Sequence, residues 1–350
     1  MTYALIGCGR VSPNHIRAAL DNGLEIVALC DLDVDKMKKT AESLSGDVAL
    51  YTDYRQMLAE SGAQMVAIAT DSGTHAELAL SAIAAGKHVL IEKPIALSMA
   101  DARRLCKAAK ESHVTVGVCH QNRFNIAVTQ LRQALEAGRF GKLSHGAVTV
   151  RWNRSEAYYD QAAWRGTWAQ DGGTLMNQCI HGIDLLRWMM GDEISEVCGM
   201  TARRLHEHTE CEDIGTAVVR FCNGALGTVE GTANVYPRDM EETLSIFGES
   251  GTVTLGGGSV NRVDRWLFAD GNEDMTGCGE QPDTIYGNGH ARLYADFLAA
   301  IAEGREPLVD TYAGMAALEL VLAIYKSQKE GRIVRLPLED FDCKDMEEEQ

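Results

Sequence analysis

The chain has 350 residues, and its 33 Lys plus Arg against 50 Asp plus Glu give a formal charge of −17 at neutral pH. Such a surface repels phosphate backbones and argues against nucleic-acid binding, and no apolar run approaches the ~18 residues of a bilayer span. Ten scattered cysteines with no C-x-x-C pair argue against structural zinc or a disulfide framework, so a reducing cytoplasm is the expected compartment.

The opening "YALIGCGRVSPNHIRAALDNGLEIVALCDLD" predicts a strand, a glycine turn at Gly7 and Gly9, a helix and a second strand ending at Asp31. Ser12 is expected as the hydroxyl N-cap, with Pro13 at the first helical position. Backbone amides at a helix N-terminus suit a pyrophosphate, and an acid about twenty residues on suits ribose hydroxyls. Asp31 would repel a 2′-phosphate, so NAD is expected before NADP. Strands over 63–70, 87–94 and 114–120 then alternate with helices over 74–86 and 99–113, the pattern of a parallel sheet with right-handed crossovers. Ligands bind beyond the carboxyl ends of such strands, where Thr70, Glu92, Lys93 and His120 fall.

Further on, "GGTLMNQCIHGIDLL" (172–186) predicts a helix with Leu175, Met176, Ile180, Ile183 and Leu186 on its apolar face. Asn177 and His181 lie four residues apart on one face, where polar groups need partners or a substrate. From about 143 the pattern has period two, and Asn-Gly and Ser-Gly mark hairpins in "FCNGALG" and "FGESGTV". An antiparallel sheet is expected, its exposed face a natural surface for a homodimer or homotetramer. The expected division is a nucleotide-binding domain over 1–122 and a substrate-binding and oligomerisation domain over 123–350, with the C-terminal helix packing back. The fold class is therefore α/β plus α+β.

"HVLIEKPIALS", "QNRFN", "AWRG", "GGTLMNQCIHGIDLLRWMMG" and "HARLYADFLAAIAEGREP" together resemble the glucose–fructose oxidoreductase, inositol dehydrogenase and MocA (Gfo/Idh/MocA) family. The resemblance implies NAD(P)-dependent oxidation or reduction of sugar or cyclitol hydroxyls. It makes Lys93 the lysine that hydrogen-bonds the reacting hydroxyl and His181 the acid/base histidine, and it suggests an unusual Lys93–Pro94 peptide. Gly7, Gly9, Arg10, Val11, Asp31, Thr70, His75, Glu92, Lys93, Arg123, Trp164 and Arg165 are expected around the cofactor, with Arg123 and Arg165 candidates for either the nicotinamide side or an anionic substrate group. Lys93, Arg123, Tyr159, Asn177, His181 and Tyr286 are grouped with the substrate, and no metal is implied. Asn177 departs from the aspartate of inositol dehydrogenases and is similar to the branch that oxidises C3 of nucleotide-linked amino sugars or glycosides.

Removing hydride from a carbinol requires the hydroxyl proton to leave, a task that suits histidine, and a nearby ammonium stabilises the developing alkoxide. A C3 sugar dehydrogenase is thus the leading reading. The alternatives are a glycosidase using transient C3 oxidation and elimination, an inositol 2-dehydrogenase, and a nicotinamide-binding sensor. The neutral Asn177 amide does not raise the proton affinity of His181 as a carboxylate would. An Asn177→Asp variant is accordingly expected to shift the histidine limb of the pH–rate profile upward, and equal midpoints in the two proteins would contradict this.

Overall fold

Short, mostly apolar strands, largely buried except for the exposed edge strand β3, build the first sheet: β1 Thr2–Ile6, β2 Glu25–Cys30, β3 Ala49–Tyr51, β4 Met65–Ile68, β5 His88–Ile91 and β6 Val116–Val118. In this computed structural model, which describes residues 1–191, 193–275, 278–280 and 288–347, they run parallel in the order β3-β2-β1-β4-β5-β6. The crossovers carry α1 Ser12–Asp21, α2 Val34–Ala41, α3 Tyr54–Glu60, α4 His75–Ala84 and α5 Met99–Glu111. This is the doubly wound order, with its switch point between β1 and β4.

The chain divides into two compact units, Met1–His120 with His290–Met315 and Gln121–Gly289 with Ala316–Gln350. The stretch 290–315, expected in the second domain, therefore belongs to the first. The reason is apolar. Helix α9 (Gly289–Glu303), which follows α6 Ile126–Glu136, α7 Glu156–Tyr159 and α8 Ile180–Met190 in the chain, buries Leu293, Tyr294, Phe297 and Ala300 at helical spacing. The Phe297 ring lies against Gly117 of β6, and Val118 N donates to Val309 O at 3.0 Å.

The second unit holds eight strands: β7 Leu143–Arg151, β8 Ile194–Ala202, β9 Ile214–Phe221, β10 Leu226–Thr232, β11 Glu241–Gly248, β12 Gly251–Gly256, β13 Arg262–Phe268 and β14 Val334–Arg335. Their order is β13-β12-β11-β7-β10-β9-β8-β14, antiparallel except for the parallel pair β7/β10. Period-two alternation sends Ala217, Val219 and Phe221 of β9 inward and Val218 outward. Helix α8 covers the inner face over β7, β10 and β11, and Ile324 of α10 (Thr311–Glu330) packs on Gly199 of β8. The other face exposes Met200, Val218 and Leu226 beside the ion pairs of Arg151 with Glu230 and Glu241.

Every residue of α8 is buried, so its charges must be met inside the protein. Asp184 takes a bidentate pair from Arg123, with Nε and Nη2 donating at 2.7 and 2.6 Å, and the guanidinium lies 4.6 Å from the Trp188 ring. Asp184→Asn would leave that guanidinium buried without its counter-charge, at a cost of about 3–5 kcal/mol. The double change Arg123→Met/Asp184→Leu should cost less than this single one. Urea denaturation of the three proteins checks the order.

Candidate active site

In the first unit the glycine turn follows β1. Gly7 has φ 98°, and a Cβ there would collide with the Ala69 carbonyl, so only glycine serves. Gly9 has open space around it, which leaves the backbone at the start of α1 free for a phosphate. Arg10 is exposed and Val11 half-buried. Val11 is the N-cap rather than Ser12. Ser12 is already helical, and its hydroxyl donates to Gly9 O at 2.7 Å, closing the turn instead of capping the helix. Asp31 Oδ2 accepts from Cys8 N at 2.7 Å and Oδ1 from Asp33 N at 2.8 Å, so the carboxylate ties the tip of β2 to the turn.

Beyond β4, the Thr70 hydroxyl meets the Thr74 hydroxyl at 2.8 Å. His75 is buried, and burial pushes its pKa down; the neutral ring donates from Nδ1 to Pro94 O at 2.7 Å. Pro94 follows half-buried Lys93 through a cis peptide. Glu92 braces the other side, Oε2 accepting from Lys93 N at 3.1 Å. Its Oε1 lies 2.9 Å from His15 Nε2 and 3.8 Å from His290 Nε2.

His15 Nδ1 contacts Tyr294 OH at 2.7 Å, which in turn meets Tyr3 OH at 3.0 Å. Burial pushes the Glu92 carboxyl up, but the histidine hydrogen bonds outweigh it and hold the group well below the usual range. Sequence reasoning missed His15 and Tyr294; His290, at the start of α9, also turns its imidazole toward Glu92. Only an acid beside the lysine, with histidines on two distant helices, could have signalled the cluster.

In the second unit the predicted helix starts differently. Leu175–Cys179 winds as a π turn, a form common at functional sites, and α8 begins at Ile180. Side chains cap the turn: Glu212 Oε1 accepts from Leu175 N at 2.8 Å and from Tyr325 OH at 2.7 Å. Gly173, at φ 96°, leaves room for that carboxyl. Asp171, directly before the glycines, accepts from Gly166 N at 2.7 Å and from the Asn177 amide, which fixes the amide's orientation.

The buried His181 ring has Nε2 3.3 Å from the Gln121 Nε2 amide donor, so that nitrogen carries the lone pair. Arg123, expected beside cofactor and substrate, is instead committed to Asp184. Tyr159 packs near Tyr158 and His206, with centroids 5.2 and 4.9 Å away. The Arg165 guanidinium lies over the Trp164 and Tyr158 rings at 4.5 and 4.3 Å. Tyr286 lies outside the described residues. Asp171, Gln121 and Gln178 were not singled out, although all three stand inside or beside the quoted motifs.

A glycine turn with open space at the start of α1 and a lysine just beyond the end of β5 are features of a nucleotide-binding oxidoreductase domain. The description "Oxidoreductase family, NAD-binding Rossmann fold" matches residues 1–120, and the GFO/IDH/MocA C-terminal domain matches 128–254. The chain belongs to the Gfo/Idh/MocA oxidoreductase family. It is similar to the WlbA dehydrogenase from Bordetella pertussis, solved in complex with NADH and UDP-GlcNAcA, at 36% identity over 97% of this chain and 98% of that one, with a TM-score of 0.92. The Chromobacterium violaceum WlbA, solved with the same two ligands, is 35% identical over 97% and 96%, with a TM-score of 0.89. A curated relative, the myo-inositol 2-dehydrogenase of Thermotoga maritima, is 27% identical over 96% of this chain and 98% of its own length.

Beneath the histidine helix, Glu242 of β11 is buried with no hydrogen-bond partner among the described residues on either oxygen, and its Oε1 lies 3.1 Å from where a Cβ on Gly182 would sit. Burial pushes its pKa up to about 8. The folded-state value lies above the unfolded one, so the contribution to stability is complete below about pH 4.5 and is lost as pH rises through about 8. Glu242→Met should therefore be more stable than the parent at pH 9, with a smaller difference at pH 6. Glu212, also pushed up to about 8 by burial, keeps a share of the slope in both proteins. Urea midpoints at the two pH values test this.

Proposed function

We propose that this enzyme oxidises C3 of a UDP-linked, N-acetylated amino-sugar uronate with NAD. The observation that carries the reading is the near-complete likeness to WlbA bound to NADH and UDP-GlcNAcA, joined to the neutral amide at Asn177. Gly7, Gly9 and Asp31 fit NAD, since Gly9 leaves open space at the start of α1 and Asp31 disfavours a 2′-phosphate. Bound nicotinamide supplies the hydride acceptor. The roles assigned to this chain's residues are as follows. His181 Nε2 receives the hydroxyl proton, Lys93 stabilises negative charge developing on the oxygen, and Asn177, held by Asp171, orients the ring. Glu92, bonded to Lys93 N, is a positioning residue.

The test is NADH formation from NAD with UDP-GlcNAcA, UDP-GlcNAc, methyl glucoside and myo-inositol in parallel. UDP-GlcNAcA should give the highest kcat/KM, with product NMR locating the carbonyl at C3. His181→Ala should lower kcat by roughly 10²–10⁴-fold with NADH affinity kept. Turnover of myo-inositol or methyl glucoside in place of the UDP-sugars would overturn the reading.

A further inference from the structure

Arginine in this acid-rich chain is almost always answered by a carboxylate once it leaves the surface. The buried and half-buried Arg123, Arg132, Arg139, Arg151, Arg154 and Arg187 each have an acid within 4 Å. Half-buried Arg165 has none among the described residues. Nη1 donates to Tyr158 OH at 2.5 Å, and among the described residues Nε is buried without an acceptor and Nη2 has no hydrogen-bond partner. The guanidinium plane is fixed between two aromatic faces, so the Nε/Nη2 edge is a preorganised fork of the kind that pairs with a carboxylate. Asp171, in the same loop, accepts from Gly166 N and the Asn177 amide and makes no ion pair with Arg165.

The fork is also wired to the proposed chemistry. Tyr158 OH, which receives Arg165, is held by Gln178 Nε2 at 2.9 Å, and the same amide reaches Asn177 Oδ1 at 3.1 Å. Asn177 stands four residues before His181 in the chain, so the fork is joined through Tyr158 and Gln178 to the segment that leads into the histidine helix. Arg154 also flanks Tyr158, 5.4 Å from the ring, but Asp239 and Gln178 already satisfy it. Arg151 is closed by Glu230 and Glu241.

We infer that Arg165 is a specificity-determining residue that binds the uronate carboxylate of the sugar substrate. The inference rests on the proposed reading of the substrate as a UDP-linked uronate. Of the two roles the sequence offers for Arg165, the nicotinamide side or an anionic substrate group, it takes the second.

The experiment compares the full-length protein with Arg165→Gln and Arg165→Lys, measuring KM for UDP-GlcNAcA and UDP-GlcNAc and the Kd of NADH by fluorescence. In Arg165→Gln the KM for UDP-GlcNAcA should rise roughly 10- to 100-fold, the loss expected for a charge-assisted pair. The KM for UDP-GlcNAc should change less than about 3-fold, NADH affinity should hold, and Arg165→Lys should fall between. Equal losses with both sugars would move Arg165 to the diphosphate, and a loss confined to NADH would move it to the cofactor; either result overturns the inference. Competition against the unaltered protein needs no variant: UDP-glucuronate should compete at least roughly 10-fold better than UDP-glucose, and equal competition would also overturn it. If the unaltered protein neither binds nor turns over any UDP-sugar, the substrate reading itself fails, a result distinct from all of these.

Discussion

A helix buried along its whole length cannot carry polar side chains without an answer to each, and this constraint organises the second unit around α8. His181 and Asp184 point into an interior where an unpartnered charge or amide costs several kcal/mol. The short 3₁₀ turn Gln121–Phe124 supplies what they need: Gln121 donates to the histidine and Arg123 clamps the aspartate. The two partners sit two residues apart on the turn and the two recipients three apart on the helix, so one segment registers the other. Arg132 extends the clamp by donating to Trp188 O at 2.7 Å. A substituted ion pair here would release the helix that carries His181, which makes the scaffold and the candidate site one problem in packing.

The start of that helix obeys the same rule by other means. A helix N-terminus leaves amides without partners, and here Glu212 and Tyr325 take those of Leu175 and Met176 from the side, at 2.8 and 3.3 Å. The wider π turn that results carries Asn177 and Gln178 on successive positions. One amide is oriented by Asp171, and the other bridges Arg154, Tyr158 and Asn177. Buried acids thus have opposite uses in this protein. Glu92, surrounded by donors, stays ionised and anchors the backbone of Lys93; Glu212 is pushed up by burial and serves as a neutral bracket.

What the sequence displayed was whatever local physics controls. The glycine turn, the alternating strands and helices, the hairpins at Asn-Gly and Ser-Gly and the polar pair on 172–186 are all periodicity or backbone chemistry, and all could be read in order along the chain. What it concealed was long-range. Tyr294 meets His15 across 279 residues and Tyr325 meets Glu212 across 113, and no window of sequence contains either pair. The π turn escaped notice because one inserted residue leaves the apolar spacing almost unchanged. Arg123 shows the same limit: an ion pair at the surface and a buried clamp have the same composition, and only the partner distinguishes them. The segment 290–315 joined the first unit because Phe297 needed a glycine strand to lie on, which its own amphipathic pattern could not reveal.

Charge balance supplies the remaining step. A protein with seventeen excess negative charges has acids to spare, so a cation withdrawn from solvent will ordinarily find one, and its failure to do so is informative. Removing a guanidinium partly from water without a counter-ion weakens the fold. Stacking on Trp164 and Tyr158 offsets a portion of that, typically about 0.5–2 kcal/mol per cation–π contact. The remainder is offset only when an anion arrives. A site arranged in this way binds an acidic ligand through the cost it removes as well as the contacts it makes, and it discriminates against a neutral analogue because that ligand leaves the cost in place.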